Sequence, residues 1–124
     1  MSAAGPRRSG RESEDLALEW LEHRGLRRLA RNYTCRLGEV DLIMQDHAHV
    51  VIVEVKFRDR RALVSGPESV TPAKQLRLIR TALHFLQRYP DLQVHPVRFD
   101  VLCVTKGERG PKIDWVRDAF QPRL

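Results

Sequence analysis

The stretch from Gly38 to Arg58, GEVDLIMQDHAHVVIVEVKFR, limits the possible folds of this chain more than any other. Its centre, VVIV, is an unbroken apolar run, and a strand apolar on both faces belongs inside a sheet covered on both sides. The run ends, with no turn signal, in Glu54 and Lys56. Side chains alternate across a strand, so these two charges project from one face. Upstream, Glu39, Asp41 and Ile43 share one face of a preceding strand. A short polar turn around Asp46, His47 and Ala48 joins the two strands into an antiparallel hairpin, which sets Asp41 beside Glu54 at the same end of the sheet.

Two readings of this arrangement stand side by side. Glu-x-Lys recurs in many strands, where the two charges form an ion pair at the rim of a sheet. Charges that end a doubly buried strand are costly without partners, however, and Asp41 supplies a second carboxylate. Two carboxylates make a hard, oxygen-rich site suited to Mg²⁺ or Mn²⁺, with the backbone carbonyl of Val55 as a further donor. Lys56 would then position the attacking water and stabilise charge developing on a phosphate. An Asp, a gap and then Glu-x-Lys is a compact apparatus for phosphodiester hydrolysis.

Elsewhere the pattern is regular. Residues 1–11 read as a disordered basic tail and residues 12–124 as a single domain. A first helix starts near Glu12 or Ser13 and stops at Gly25, with Leu16, Ala17, Trp20 and Leu21 on its apolar face. Glu12, Glu14 and Asp15 fall in its first turn, where acids suit the helix dipole. Strands follow over 27–34, 39–45 and 50–57, then a loop rich in Gly, Pro and Ser over 59–70. Thr71 and Pro72 read as N-cap and first residue of a long helix ended by Tyr89-Pro90. Its apolar stripe is Leu76, Ile79, Leu83 and Leu86, with Lys74, Arg77, Arg80 and Arg88 largely off it. Strands over 97–104 and 112–116 close the chain. The order α-β-β-β-α-β-β predicts an α/β sandwich with a mixed central sheet.

At 124 residues the chain suffices for one modest core. It carries Lys+Arg 22 against Asp+Glu 16, a net charge of +6, and most of the excess is arginine, which suits phosphate contacts. Cys35 and Cys103 form no CxxC and read as two buried thiols, not a zinc site. No apolar run approaches the roughly 20 residues of a membrane span, and no hydrophobic segment follows the basic start, so the expected compartment is the cytoplasm.

The motifs GEVDLI and VIVEVKFR resemble the YraN-like family of small bacterial proteins. So do SEDLALEWLEHRGL, LARNYTCRLGEVDLI, VTPAKQLRL, VRFDVL and the closing DAF, in the family's order from about residue 13 to 120. That family is similar in fold to Holliday-junction resolvases and to the wider PD-(D/E)xK, restriction-endonuclease-like nucleases. The resemblance implies a metal-dependent DNA endonuclease acting on branched or damaged DNA. Resolvases act on two opposed strands, which implies a homodimer. By position, Asp41, Glu54 and Lys56 match the superfamily's metal-and-water triad. Glu14 matches a glutamate of the first helix that approaches the same metal in resolvase-like relatives, while Lys74 and Gln75 match a helix start that faces the site. Arg58 follows the triad, where it would meet a phosphate. Ser13 stands where the family has glycine, and Phe57 replaces a small polar residue. The literal Pro90-Asp91 ends a helix and is unrelated to the motif.

The remaining candidates have plainer readings. His47 and His49 flank an exposed turn, and His23, His84 and His95 belong to no constellation. Arg77, Arg80 and Arg88 form either a solvated face or, beside a nuclease site, phosphate contacts. Arg98 and Asp100 read as a structural ion pair, and Trp20 and Trp115 as core. The alternative to a nuclease is a non-catalytic nucleic-acid-binding or scaffold module that keeps the fold.

Overall fold

The computed structural model describes residues 5–59 and 70–122. The elements are α1 (Gly5–His23), β1 (Arg27–Cys35), β2 (Gly38–Asp46), β3 (His49–Asp59), α2 (Pro72–Arg88), a 3₁₀ turn (Pro90–Val94), β4 (Val97–Gly107) and β5 (Gly110–Phe120). The five strands lie in chain order across one mixed sheet, with β3 and β4 parallel and the other neighbours antiparallel. This is the expected α-β-β-β-α-β-β core. Most of the expected Gly/Pro/Ser loop, residues 60–69, lies outside the described residues.

The VVIV run explains where β3 sits. Val50 and Ile52 enter one apolar layer with Leu78, Ala82 and Phe85 of α2. Val51 and Val53 enter the other with Ala17 and Leu21 of α1. Both layers are closed over a central strand, and each of these β3 side chains contributes roughly 1.5–3 kcal/mol by leaving water.

Thr71 is the N-cap of α2, accepting from the Lys74 amide at 3.2 Å, and Pro72 opens the helix. Its buried stripe differs from the expected one. Leu76 and Leu83 are exposed, and Leu78, Thr81, Ala82, Phe85 and Leu86 are buried. Both stripes have helical spacing; contact with β1 and β2 chooses between them. Tyr33 stacks edge-on against Phe85 and bonds His84 at 2.5 Å. Thr81 lies over Gly38, where a Cβ would meet its Oγ1 at 2.7 Å. Gly38 therefore serves less as a turn residue than as the place where α2 approaches β2.

α1 begins at Gly5, ahead of the expected start. Glu12, Glu14 and Asp15 are thus inside the helix, and the dipole does not account for them. Ala17, Leu18 and Leu21 are buried, with Leu16 and Trp20 at the margin of the same layer. The last two strands are longer than expected, and of the two cysteines only Cys103 is fully buried, Cys35 being intermediate.

One irregularity governs the site. Asn32 adopts a left-handed conformation, φ 53°, which asparagine tolerates better than most residues. Across it β1 changes face. Arg31 reaches α1 acids, whereas Tyr33, two residues on, packs under α2. The paired strand changes with it: Leu42, opposite Arg31, enters the α1 layer, and Val40, opposite Tyr33, enters the α2 layer. Strict alternation through β2 therefore fails at Asp41, the residue between them.

Candidate active site

Asp41 and Glu54 meet where two strands part. The β2–β3 ladder runs from Asp46↔His49 to Leu42↔Val53 and stops. The next opposed pair in that register is Asp41 and Glu54. Beyond it β2 stays with β1 as far as Gly38, while β3 continues along β4 to Asp59↔Lys106. At the fork the Val55 amide has no carbonyl partner on β2, and it donates instead to Asp41 Oδ2 at 2.9 Å. The hairpin register thus brings the two carboxylates to neighbouring positions. The fork has no sequence signal, because β2 reads as regular alternation straight through Asp41.

Glu54 lies between Val53 and Val55, which face α1, so it faces α2. It is 5% exposed and ion-pairs with the Lys74 ammonium, which is itself well exposed. The Thr71 cap holds the backbone that delivers Lys74 there. The Asp41 carboxyl is pushed up to about 7, first by burial and next by the charge of Glu54. Glu14 adds to the rise, and the Val55 N–H and Lys74 oppose it. A carboxyl whose proton affinity is raised by burial and a neighbouring carboxylate is a frequent property of functional sites.

The other predicted residues divide. Lys56 and Arg58 continue along β3 opposite Cys103 and Thr105, both half-buried, and alternation puts them on Glu54's face. Glu14 is close enough to raise Asp41's proton affinity, but its carboxylate sits 3.8 Å from Arg31, which also binds Asp15 at 2.6 Å. Gln75 does not join the carboxylates; its amide donates to the Val70 carbonyl at 3.0 Å. Arg77 lies on the exposed side of α2 next to Gly38. Phe57, 43% exposed, lines a separate cleft of about 220 Å³ with Ser13, Leu16 and Val104, on the α1 side of the sheet. His47 is exposed in its turn and His49 is half-buried.

Among the described residues, no group of three or more His, Cys, Asp and Glu side chains is placed to hold a metal ion. Mg²⁺ needs fewer, since it is usually bound through one or two carboxylates and completes its octahedron with water. Asp41 and Glu54, with the Val55 carbonyl between Glu54 and Lys56, match that donor class.

A second charged cluster lies on the other face. Asp100, 1% exposed, accepts from Arg98 Nε at 2.9 Å and Nη2 at 3.0 Å, from Trp115 Nε1 at 2.9 Å and from the Asp118 amide at 2.9 Å. Arg98 also reaches Asp46 at 3.1 Å. The expected structural pair of Arg98 and Asp100 is thus the centre of a larger network. Trp20 packs edge-on against Trp115, as core residues do.

Among the described residues no helix is long and apolar enough to cross a membrane. The model of the Uncharacterised protein family UPF0102 matches residues 13–104. The chain is 46% identical to a UPF0102 protein of Nitrosococcus oceani, over 98% of each chain. It is 45% identical to one of Stutzerimonas stutzeri, over 91% of this chain and 94% of the relative. With one of Pseudomonas aeruginosa it shares 43% identity, over 92% and 93%. The matched segment contains Glu14, Asp41, Glu54, Lys56 and Lys74, and on this evidence the chain belongs to the UPF0102 family.

Proposed function

We propose that this protein is a metal-dependent DNA endonuclease that hydrolyses phosphodiester bonds, with branched or damaged DNA as the substrate class, in the cytoplasm and as a homodimer. One observation carries the reading. A carboxylate pair, half-buried Asp41 and buried Glu54, meets at the β2–β3 fork with Lys56 on the same face of β3, and burial and the charge of Glu54 raise the proton affinity of Asp41. Asp41 and Glu54 would hold Mg²⁺ or Mn²⁺, aided by the Val55 carbonyl; when bound, such an ion acidifies water and neutralises phosphate charge. Lys56 would orient the attacking water and stabilise the charge on the phosphate as it forms. Arg58, farther along β3, and Lys74 and Arg77 on α2 would bind flanking phosphates, which fix position without reading sequence. Gln75 serves the start of α2 and stands behind these contacts. The basic balance of the chain supports a polyanionic partner.

The Lys74–Glu54 ion pair favours a second reading, a nucleic-acid-binding module without turnover, because it neutralises Glu54 without any metal. One experiment separates the two: cleavage of single-stranded, duplex, flap and four-way-junction DNA in Mn²⁺, Mg²⁺ or EDTA. Products that require metal and disappear in folded Asp41→Ala, Glu54→Ala and Lys56→Ala proteins are expected. Cleavage that survives in these variants refutes the site. Salt-sensitive binding without cleavage establishes the second reading.

A further inference from the structure

Lys74 stands where helix electrostatics disfavour it. It is in the first turn of α2, which holds no acidic residue, and a cation at the positive end of a helix is disfavoured by the helix dipole. Its long side chain nevertheless reaches Glu54, and its side chain stays 41% exposed. The pairing is lopsided: the carboxylate is buried, and the ammonium is anchored on it from the solvent side. Glu54 is 7% exposed by side chain, and leaving it without a cation would be expensive. Lys74, in contrast, can return to water at little cost. Glu54 is its one ion-pair partner among the described residues.

Resting on the metal reading above, we propose that Lys74 is the resident counter-ion of the Asp41–Glu54 site. Its ammonium occupies Glu54 while the site is empty and is displaced when a divalent cation binds. The arrangement keeps the buried carboxylate neutralised at all times, and it makes metal affinity the outcome of a competition within the protein. It also releases a positive charge at the mouth of the site when the metal arrives, at the step where a phosphate would be engaged.

The test is Mn²⁺ binding to the full chain without DNA, followed by the loss of the free-ion EPR signal, with thermal unfolding run in parallel. The parent is compared with Lys74→Met, Lys74→Arg and Glu54→Gln. The capping bond to Thr71 uses the backbone amide of residue 74, so these substitutions leave the start of α2 intact. Lys74→Met is expected to bind Mn²⁺ about tenfold or more tightly than the parent, because a competing charge is gone. It is also expected to melt lower without metal and to regain more stability from Mn²⁺. Lys74→Arg keeps the competitor and is expected to bind as weakly as the parent. If Lys74→Met binds no more tightly while Glu54→Gln abolishes binding, the metal site stands and the counter-ion role is overturned. If neither the parent nor Lys74→Met binds Mn²⁺, the metal reading falls and this inference with it.

Discussion

Two aspartates in this molecule do the same backbone task and differ in everything else. Asp41 accepts the Val55 N–H where β2 leaves β3. Asp100 accepts the Asp118 N–H where β5 bulges away from β4, near a left-handed residue of φ 53° at Asp118 itself. Each carboxylate fills a gap in a hydrogen-bond ladder. Around Asp100 the remaining oxygen valences are taken by Arg98 and Trp115, so the cluster is complete. Around Asp41, burial and then the charge of Glu54 raise its proton affinity, and the Lys74 ammonium pairs with Glu54. The two broken ladders are alike in backbone geometry; what differs is the company of the carboxylate, an arginine and an indole N–H at Asp100 and a second carboxylate at Asp41.

The contrast is sharpest if both sites receive the same change. Asp100→Asn is expected to cost about 3–5 kcal/mol in chemical denaturation, because it removes one partner of a buried ionic network and turns an amide N–H toward donors. Asp41→Asn is expected to stabilise, by up to about 4 kcal/mol at pH 8 and by less at pH 5. The sign follows from its proton affinity. With a pKa of about 7 folded against 3.8 ordinarily, Asp41 holds its proton more tightly in the folded state. Stability therefore falls as pH rises from about 3.8 to about 7, and the full cost of its charge is present above that range. A loss of stability in Asp41→Asn at pH 8 would break the comparison. The smallest effect concerns the platform that brings Lys74 to the site. Gly38→Ala is expected to cost about 1–3 kcal/mol by pressing a Cβ against Thr81, with partial relief in a Gly38→Ala, Thr81→Ala double variant. Denaturation midpoints of the two proteins decide it.

Much of this was readable in the amino-acid order, for physical reasons. The VVIV run has no polar side chain on either face, so it could only be central; Glu54 at its end is still buried, and exposure begins at Val55 and Lys56. Thr71-Pro72 fixed the start of α2 because cap and first-turn chemistry is local. The stripe of α2 is ambiguous in sequence because Leu76 and Leu83 obey helical periodicity as well as Leu78 and Phe85 do. The choice depended on Gly38 and Tyr33, which are distant in sequence. The helix start points to Lys74, but its partner Glu54 is hidden in sequence, since an ion pair across two elements leaves no spacing to detect. Asn32 gives no signal either: asparagine tolerates φ > 0 but does not announce it.

The Val55 amide has one more consequence. In most of the sheet an N–H is held by a neighbouring strand, and it exchanges with solvent only when strands open. Here the acceptor is a titrating side chain. Protonation of Asp41, or capture of its carboxylate by a cation, alters one backbone bond and leaves the ladders on either side unchanged. The nitrogen and proton shifts of Val55, and its rate of hydrogen–deuterium exchange, therefore form a built-in gauge of the site's occupancy, readable in solution without any label or substrate.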